Sequence, residues 1–158
     1  MTSVLTTSVT ATVVFHAGTW LCGLPLGSVV ETMRPLAVQS LPGLPSFVLG
    51  LSVIRGVPTP VVDVSALLRG AAVDAPTASV GRFVTVLAGG RPVALAVSSV
   101  VGVRGLESAA LRACPPMLGG ASAGVIEAVG TLDAELLVVL RAGRLVPEEA
   151  WDTIDGSP

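Results

Sequence analysis

Lysine and tyrosine are absent from the 158 residues, and histidine occurs once, as His16. One histidine leaves almost no material for a metal cluster or for a Ser-His-Asp catalytic arrangement. The aromatic side chains are only Trp20, Trp151, Phe15, Phe47 and Phe83, so the stacking platforms that hold single-stranded nucleic acid are missing. A net charge of −2 also denies the chain a basic footprint, and no nucleic-acid partner is expected. The two cysteines, Cys22 and Cys114, stand far apart in apolar surroundings and read as buried free thiols rather than as a disulfide or reactive pair. Charge is scarce throughout, and the first charged residue is Glu31. The uncharged start has no positive n-region, and its apolar residues alternate with Thr, Ser and Gly, so it does not read as a signal segment. The uncharged stretch 35–54 is cut by Pro42, Pro45 and Gly50 and does not read as a membrane span. The expectation is a soluble, cytoplasmic protein without direct membrane insertion.

What the chain does have is Val, Leu and Ile, punctuated by 18 Gly and 12 Pro, which favours many short strands joined by tight turns. Its length fits one domain, or two small lobes sharing a core, and can bury roughly 68–70% of the unfolded surface without a disulfide or metal. Residues 9–15 alternate apolar and polar, turn at Ala17-Gly18, and return over 20–26 as a hairpin. Pro25 in the returning run predicts an edge position or a bulge. Residues 28–33 read as a short turn-like or helical piece stopped near Pro35. Strands are predicted over 47–54 and 59–64, with Arg55-Gly56 ending the first and a helical run at 65–69 following the second. After a loop over 70–81, a second hairpin spans 82–87 and 91–97 around Gly89-Gly90. Residues 98–103 read as turn-like and 115–124 as a loop. Segments 125–129 and 135–140 form a last strand pair, and Pro147 opens a short helix with Glu148 and Glu149 in its first turn.

The second half echoes the first. With Ala17-Gly18 placed on Ala88-Gly89, Leu24 falls on Leu95, Ser28 on Ser99, Val29 on Val100 and Val30 on Val101. The repeat predicts two related lobes, each a small barrel of about five strands, because closure removes exposed strand edges.

Arg55 follows an apolar strand and requires an acidic partner or water. Glu31 is the one carboxylate before Asp63. Two readings stand: an internal Glu31–Arg55 ion pair, or an Arg55 that contacts a partner protein. Gly56 supplies either a positive-φ turn or close backbone approach. Asp63 is expected to cap the helical turn that follows it. Gly89-Gly90 and Gly119-Gly120 lack the Lys-Ser/Thr of a phosphate loop and read as turns.

Along the chain stand, in order, Leu24-Pro25-Leu26, Val29-Val30-Glu31, Leu41-Pro42 with Pro45, Phe47-Val48-Leu49-Gly50, Ile54-Arg55-Gly56 and Pro60-Val61-Val62-Asp63-Val64. With these residues, the order of segments over about 13–154 resembles the CheW family, the CheW-like domain of chemotaxis coupling proteins. The residues follow the family pattern of a proline-bearing strand, V-x-E, an I-P-x-x-P loop, a strand ending in N-L-R-G, and P-V-V-D-L. Val53 stands where the family has Asn.

The resemblance implies a single CheW-like domain over 1–158. Its fold would be all-β, two intertwined five-stranded SH3-like β-barrel lobes with short helices. Lobe one would cover about 13–70, lobe two about 82–141, and a C-terminal helix 147–154, with an apolar groove between the lobes. It also implies a non-enzymatic scaffold that bridges a CheA-type histidine kinase, through its regulatory domain, and the cytoplasmic tip of a methyl-accepting chemotaxis receptor. No catalytic residue, cofactor or metal is implied. The binding candidates are Val29, Val30, Glu31, Val53, Ile54, Arg55, Gly56, Val57 and Pro60. A rival reading is a divergent adaptor of a non-flagellar motility or regulatory system with altered partners. An enzyme or ligand-binding barrel would instead require converging polar residues in an enclosed pocket.

Overall fold

A computed structural model describes residues 8–69, 80–113 and 124–156. The first hairpin is β1 (Val9–Ala17) and β2 (Trp20–Pro25). There follow β3 (Val29–Met33), β4 (Val48–Ile54), β5 (Val57–Asp63) and the helix α1 (Val64–Arg69). The second hairpin is β6 (Arg82–Ala88) and β7 (Arg91–Val97). The chain continues through β8 (Ser99–Glu107), β9 (Arg112–Ala113), β10 (Ile126–Leu132), β11 (Glu135–Leu140) and α2 (Glu148–Gly156). The expected loop at 70–81, Cys114, most of the loop at 115–124 and Gly119-Gly120 lie wholly or mainly outside the described residues.

The strands form two sheets. Sheet one runs β8-β1-β2-β11-β10-β9 and sheet two runs β3-β6-β7-β5-β4. The sequence repeat organises them both. If β1 to β5 are equated in order with β6, β7, β8, β10 and β11, sheet two becomes β8-β1-β2-β11-β10, which is sheet one without β9. The parallel pairs correspond, β5 with β7 and β11 with β2. So do the bulges: Val30 is unpaired where β3 meets β6, and Val101 where β8 meets β1. Leu49 and Glu127 are skipped in the two later hairpins in the same way.

Each half of the chain donates its hairpin to the sheet built by the other half. Sheet boundaries therefore fall elsewhere than 13–70 and 82–141: sheet two takes its strands from 29–97, and sheet one from 9–25 together with 99–140. Sheet one has six strands rather than five, because the two-residue β9 adds onto β10. The crossings between sheets are short. One is a single 3-10 turn, Leu26–Ser28, and the other is Ser98 alone. The segments expected to be turn-like at 28–33 and 98–103 are in fact the edge strands β3 and β8. Their Val and Thr residues suit a pleated surface, and a partner distant in sequence supplies the ladder. Pro25 does not mark an edge: β2 is interior to sheet one, and Pro25 ends the strand two residues past its last pairing with β11, at Gly23.

Both faces of the inner strands are buried, which is why they read as continuous apolar runs. On β7, Val93, Leu95 and Val97 join a large core shared by the two sheets, while Ala94 and Ala96 turn into a smaller core with Ile54, Val61 and Phe83. On β11, Val138 and Leu140 enter the shared core, while Leu137 and Val139 enter a small core of sheet one with Val14, Leu21 and Leu106. The space between the sheets is thus filled by side chains such as Phe15, Leu24, Val62 and Leu95, where the resemblance implied an apolar groove.

Candidate functional site

The β4–β5 hairpin closes through Arg55 and Gly56, both at positive φ, 52° and 79°. This pairing of two left-handed residues is the turn whose twist matches the flanking strands. Gly56 adopts it freely, and nothing lies within 4 Å of where a Cβ would stand, so its role is conformational rather than one of close approach. Arg55 adopts a region that side chains rarely occupy. Its guanidinium reaches back to β3: Nε donates to Glu31 Oε2 and Nη2 to Glu31 Oε1, both at 2.7 Å. This fork-on-carboxylate geometry is the strongest form of such a contact. It holds the Glu31 carboxyl below the usual carboxylate range and raises the Arg55 guanidinium, the hydrogen bonds being the leading cause of each.

The pair is at the surface, with the Arg55 side chain 75% exposed. It therefore lacks the large cost of a buried charge, but it joins two places that the ladder separates. Glu31 is on β3, at one end of sheet two, and Arg55 closes the turn of β4 and β5 at the other end. Their side chains bridge the β3 edge and the β4–β5 turn at 2.7 Å, and the ion pair is a clasp between the two.

Beside the clasp lies a hollow of about 160 Å³. Val30 and Glu31 line it from β3, Ile54 and Arg55 from the end of β4 and its turn, Val57 and Thr59 from β5, Thr85 from β6 and Pro92 from β7. Its hydroxyls are turned away into the backbone: Thr59 Oγ1 donates to the Val57 carbonyl at 2.9 Å, and Thr85 Oγ1 to the Glu31 carbonyl at 3.2 Å. What remains is apolar, with one ion pair at the rim. Val30 is 57% exposed and Val57 46%. The bulge at Val30 directs that side chain outward.

Of the residues singled out from sequence, Val30, Glu31, Ile54, Arg55 and Val57 come together here. The others do not. Val29 packs against the shared core opposite Val86. Val53 faces a separate open cleft beside Leu36 and Val38. Gly56 shapes the turn without lining the hollow, and Pro60 is buried on β5 opposite Leu51, which withdraws it from any partner. Thr59, Thr85 and Pro92 were missed. Thr59 was within reach of the sequence, since it shares the alternation of Val57 and Val61. Thr85 and Pro92 depend on pairings between distant strands.

The cleft by Val53 is lined by residues 36–40, which run along the free edge of β4. Gln39 and Leu51 exchange backbone hydrogen bonds of 2.8 Å, and Ser52 Oγ donates to the Ala37 carbonyl at 2.9 Å. This covers an edge that would otherwise invite pairing with another chain. Gly50 makes the approach possible, because a Cβ there would stand 2.0 Å from the Gln39 carbonyl oxygen.

The groups suited to chemistry are otherwise engaged. Cys22 is buried, and burial pushes its thiol up to about 12. Asp63 Oδ1 accepts from the Ala66 amide at 3.2 Å, the cap expected for α1. Among the described residues, no three His, Cys, Asp or Glu side chains gather to hold a metal. No helix among them is long and apolar enough to cross a membrane.

An apolar hollow beside a salt-bridge clasp thus stands on one of two sheets that exchange hairpins. The comparisons with known proteins give the family of this fold. Residues 11–150 match the model of the CheW-like domain. Protein FrzA of Myxococcus xanthus is 31% identical over 126 residues, covering 76% of each chain. In fold, the chain resembles the crystal structure of the scaffolding protein TtCheW from Thermoanaerobacter tengcongensis, with a TM-score of 0.73 at 21% identity over 85% of this chain and 90% of that one. With the family model spanning nearly the whole of both sheets, this chain belongs to the CheW-like domain family.

Proposed function

We propose that this chain is a non-enzymatic, cytoplasmic coupling scaffold that bridges the regulatory domain of a CheA-type histidine kinase and the cytoplasmic tip of a chemoreceptor. The observation that carries this reading is the apolar hollow of sheet two, where Val30, Ile54, Val57 and Pro92 stand around the Glu31–Arg55 clasp. An amphipathic helical hairpin would lay its apolar ridge into such a hollow and set polar residues against the clasp at the rim. Holding kinase and receptor on one small body raises their effective concentration, so each contact can be modest. The hollow has no converging donors or acceptors to select a small polar substrate.

Co-purification with the cognate kinase and with the receptor tip tests this. The wild-type chain is expected to retain both, and Val30→Asp, which places a charge in the hollow without touching the core, is expected to lose one of them. If neither partner is retained by a folded wild-type chain, the bridging role is wrong and an adaptor with other partners replaces it.

A further inference from the structure

Strand β7 separates the docking hollow from the C-terminal helix. Pro92 and Arg91 are neighbours on it and face opposite ways: Pro92 lines the hollow, and Arg91 grips α2. The Arg91 guanidinium lies 4.0 Å from the centroid of the Trp151 ring, and its Nη2 donates to Asp155 Oδ2 at 2.5 Å. The helix is otherwise held by Ala150, fully buried in the shared core, and by Trp151, half-buried against it. Ala88 holds the base of the β6–β7 tip in the shared core, and beyond it the turn is exposed. Gly89 and Gly90 turn there at φ of 59° and 84°, and neither has a neighbour within 4 Å of where a Cβ would stand.

We propose that Arg91 is a positioning residue that couples the seating of α2 to the shape of the docking hollow. With α2 seated, Trp151 and Asp155 hold the β6–β7 tip, and Pro92 forms a firm wall of the hollow. With α2 lifted, the two-glycine turn releases the tip and the wall loosens. The grip on α2 is partly exposed and ionic, so salt weakens it, as it weakens the Glu31–Arg55 pair at the rim of the hollow. The coupling rests on the hollow being the docking site, and it is reciprocal: a partner that needs the firm wall also holds α2 down.

Hydrogen exchange and binding to a peptide hairpin with the sequence of the cognate receptor tip are measured on Arg91→Ala, Asp155→Asn and wild type. Arg91→Ala is expected to speed exchange in α2 roughly tenfold, the combined scale of one exposed ion pair and one cation–π contact. It should speed exchange across 85–93 as well and weaken peptide binding about fivefold, the low end of couplings between sites. Asp155→Asn, which leaves sheet two untouched, should shift all three in the same direction. Faster exchange in α2 with 85–93 and affinity unchanged overturns the coupling. Weaker binding without faster exchange in α2 also overturns it, because Arg91 would then contact the partner directly. If the wild-type chain does not bind the peptide, the docking reading falls and the exchange at 85–93 alone decides whether α2 and the tip are linked.

Discussion

Arg55 combines an unfavourable backbone with a favourable side chain. Its left-handed φ is a local strain, and the forked contact with Glu31 compensates it. The clasp has a definite acid limit. An ordinary Glu titrates at about 4.3, and hydrogen bonding to the charged form holds Glu31 lower. The contribution of the clasp is therefore complete above the ordinary carboxylate range and is lost as pH falls through the lowered value. In an NMR titration, the Glu31 midpoint is expected to lie below that range in the wild-type chain and to rise towards it in Arg55→Ala. An unchanged midpoint would mean that the pair does not persist in solution. The charge-swapped double variant, Glu31→Arg with Arg55→Glu, separates the two readings of Arg55. If it restores what Arg55→Glu alone removes, the residue serves the clasp; if only the native arrangement binds, Arg55 also meets the partner.

Among the elements, α1 is the clearest case of local legibility. Its six residues make a short helix that needs its ends satisfied, and Asp63 supplies the cap from the last position of β5. Asp63→Ala is expected to lower stability by about 1 kcal/mol in chemical denaturation, with the β5–β7 pairing intact by backbone amide shifts. Hairpins and turns were legible for the same reason: Gly89-Gly90 and Arg55-Gly56 declare themselves through residues only a few positions apart. The edge strands β3 and β8 were not, because five- and nine-residue segments with bulges lack clean alternation and acquire their identity from β6 and β1, over fifty residues away. Two of the eight residues that line the hollow were hidden by the same rule. Val30, Ile54 and Val57 belong to recognisable motifs, whereas Thr85 and Pro92 enter the site only through the register of β6 and β7. Pro60 and Val29 belong to those motifs too, but the pleat turns them inward.

For the molecule as a whole, the shared core makes the two sheets one folding unit. Leu95 is fully buried there, opposite Val84 on one side and Val62 on the other. Leu95→Ala is expected to cost about 2–5 kcal/mol. Unfolding should remain a single transition, with tryptophan fluorescence and far-ultraviolet circular dichroism coinciding, because no sheet retains a complete core once the shared one is breached. Two separated transitions would show that the sheets stand independently. The sequence repeat announced two related lobes, but it could not show that they trade hairpins, since both arrangements satisfy the same hydrophobic pattern.

That exchange bears on how the chain emerges from the ribosome. The strands of sheet two all precede β8, so their backbone partners are present once β7 has been synthesised, while their half of the shared core still waits for sheet one. The β1–β2 hairpin must wait for β8 and β11 before its two strands are flanked on both sides. β1 and β2 are synthesised well before β8 and β11, their other partners in sheet one, and during that interval their apolar faces await cover.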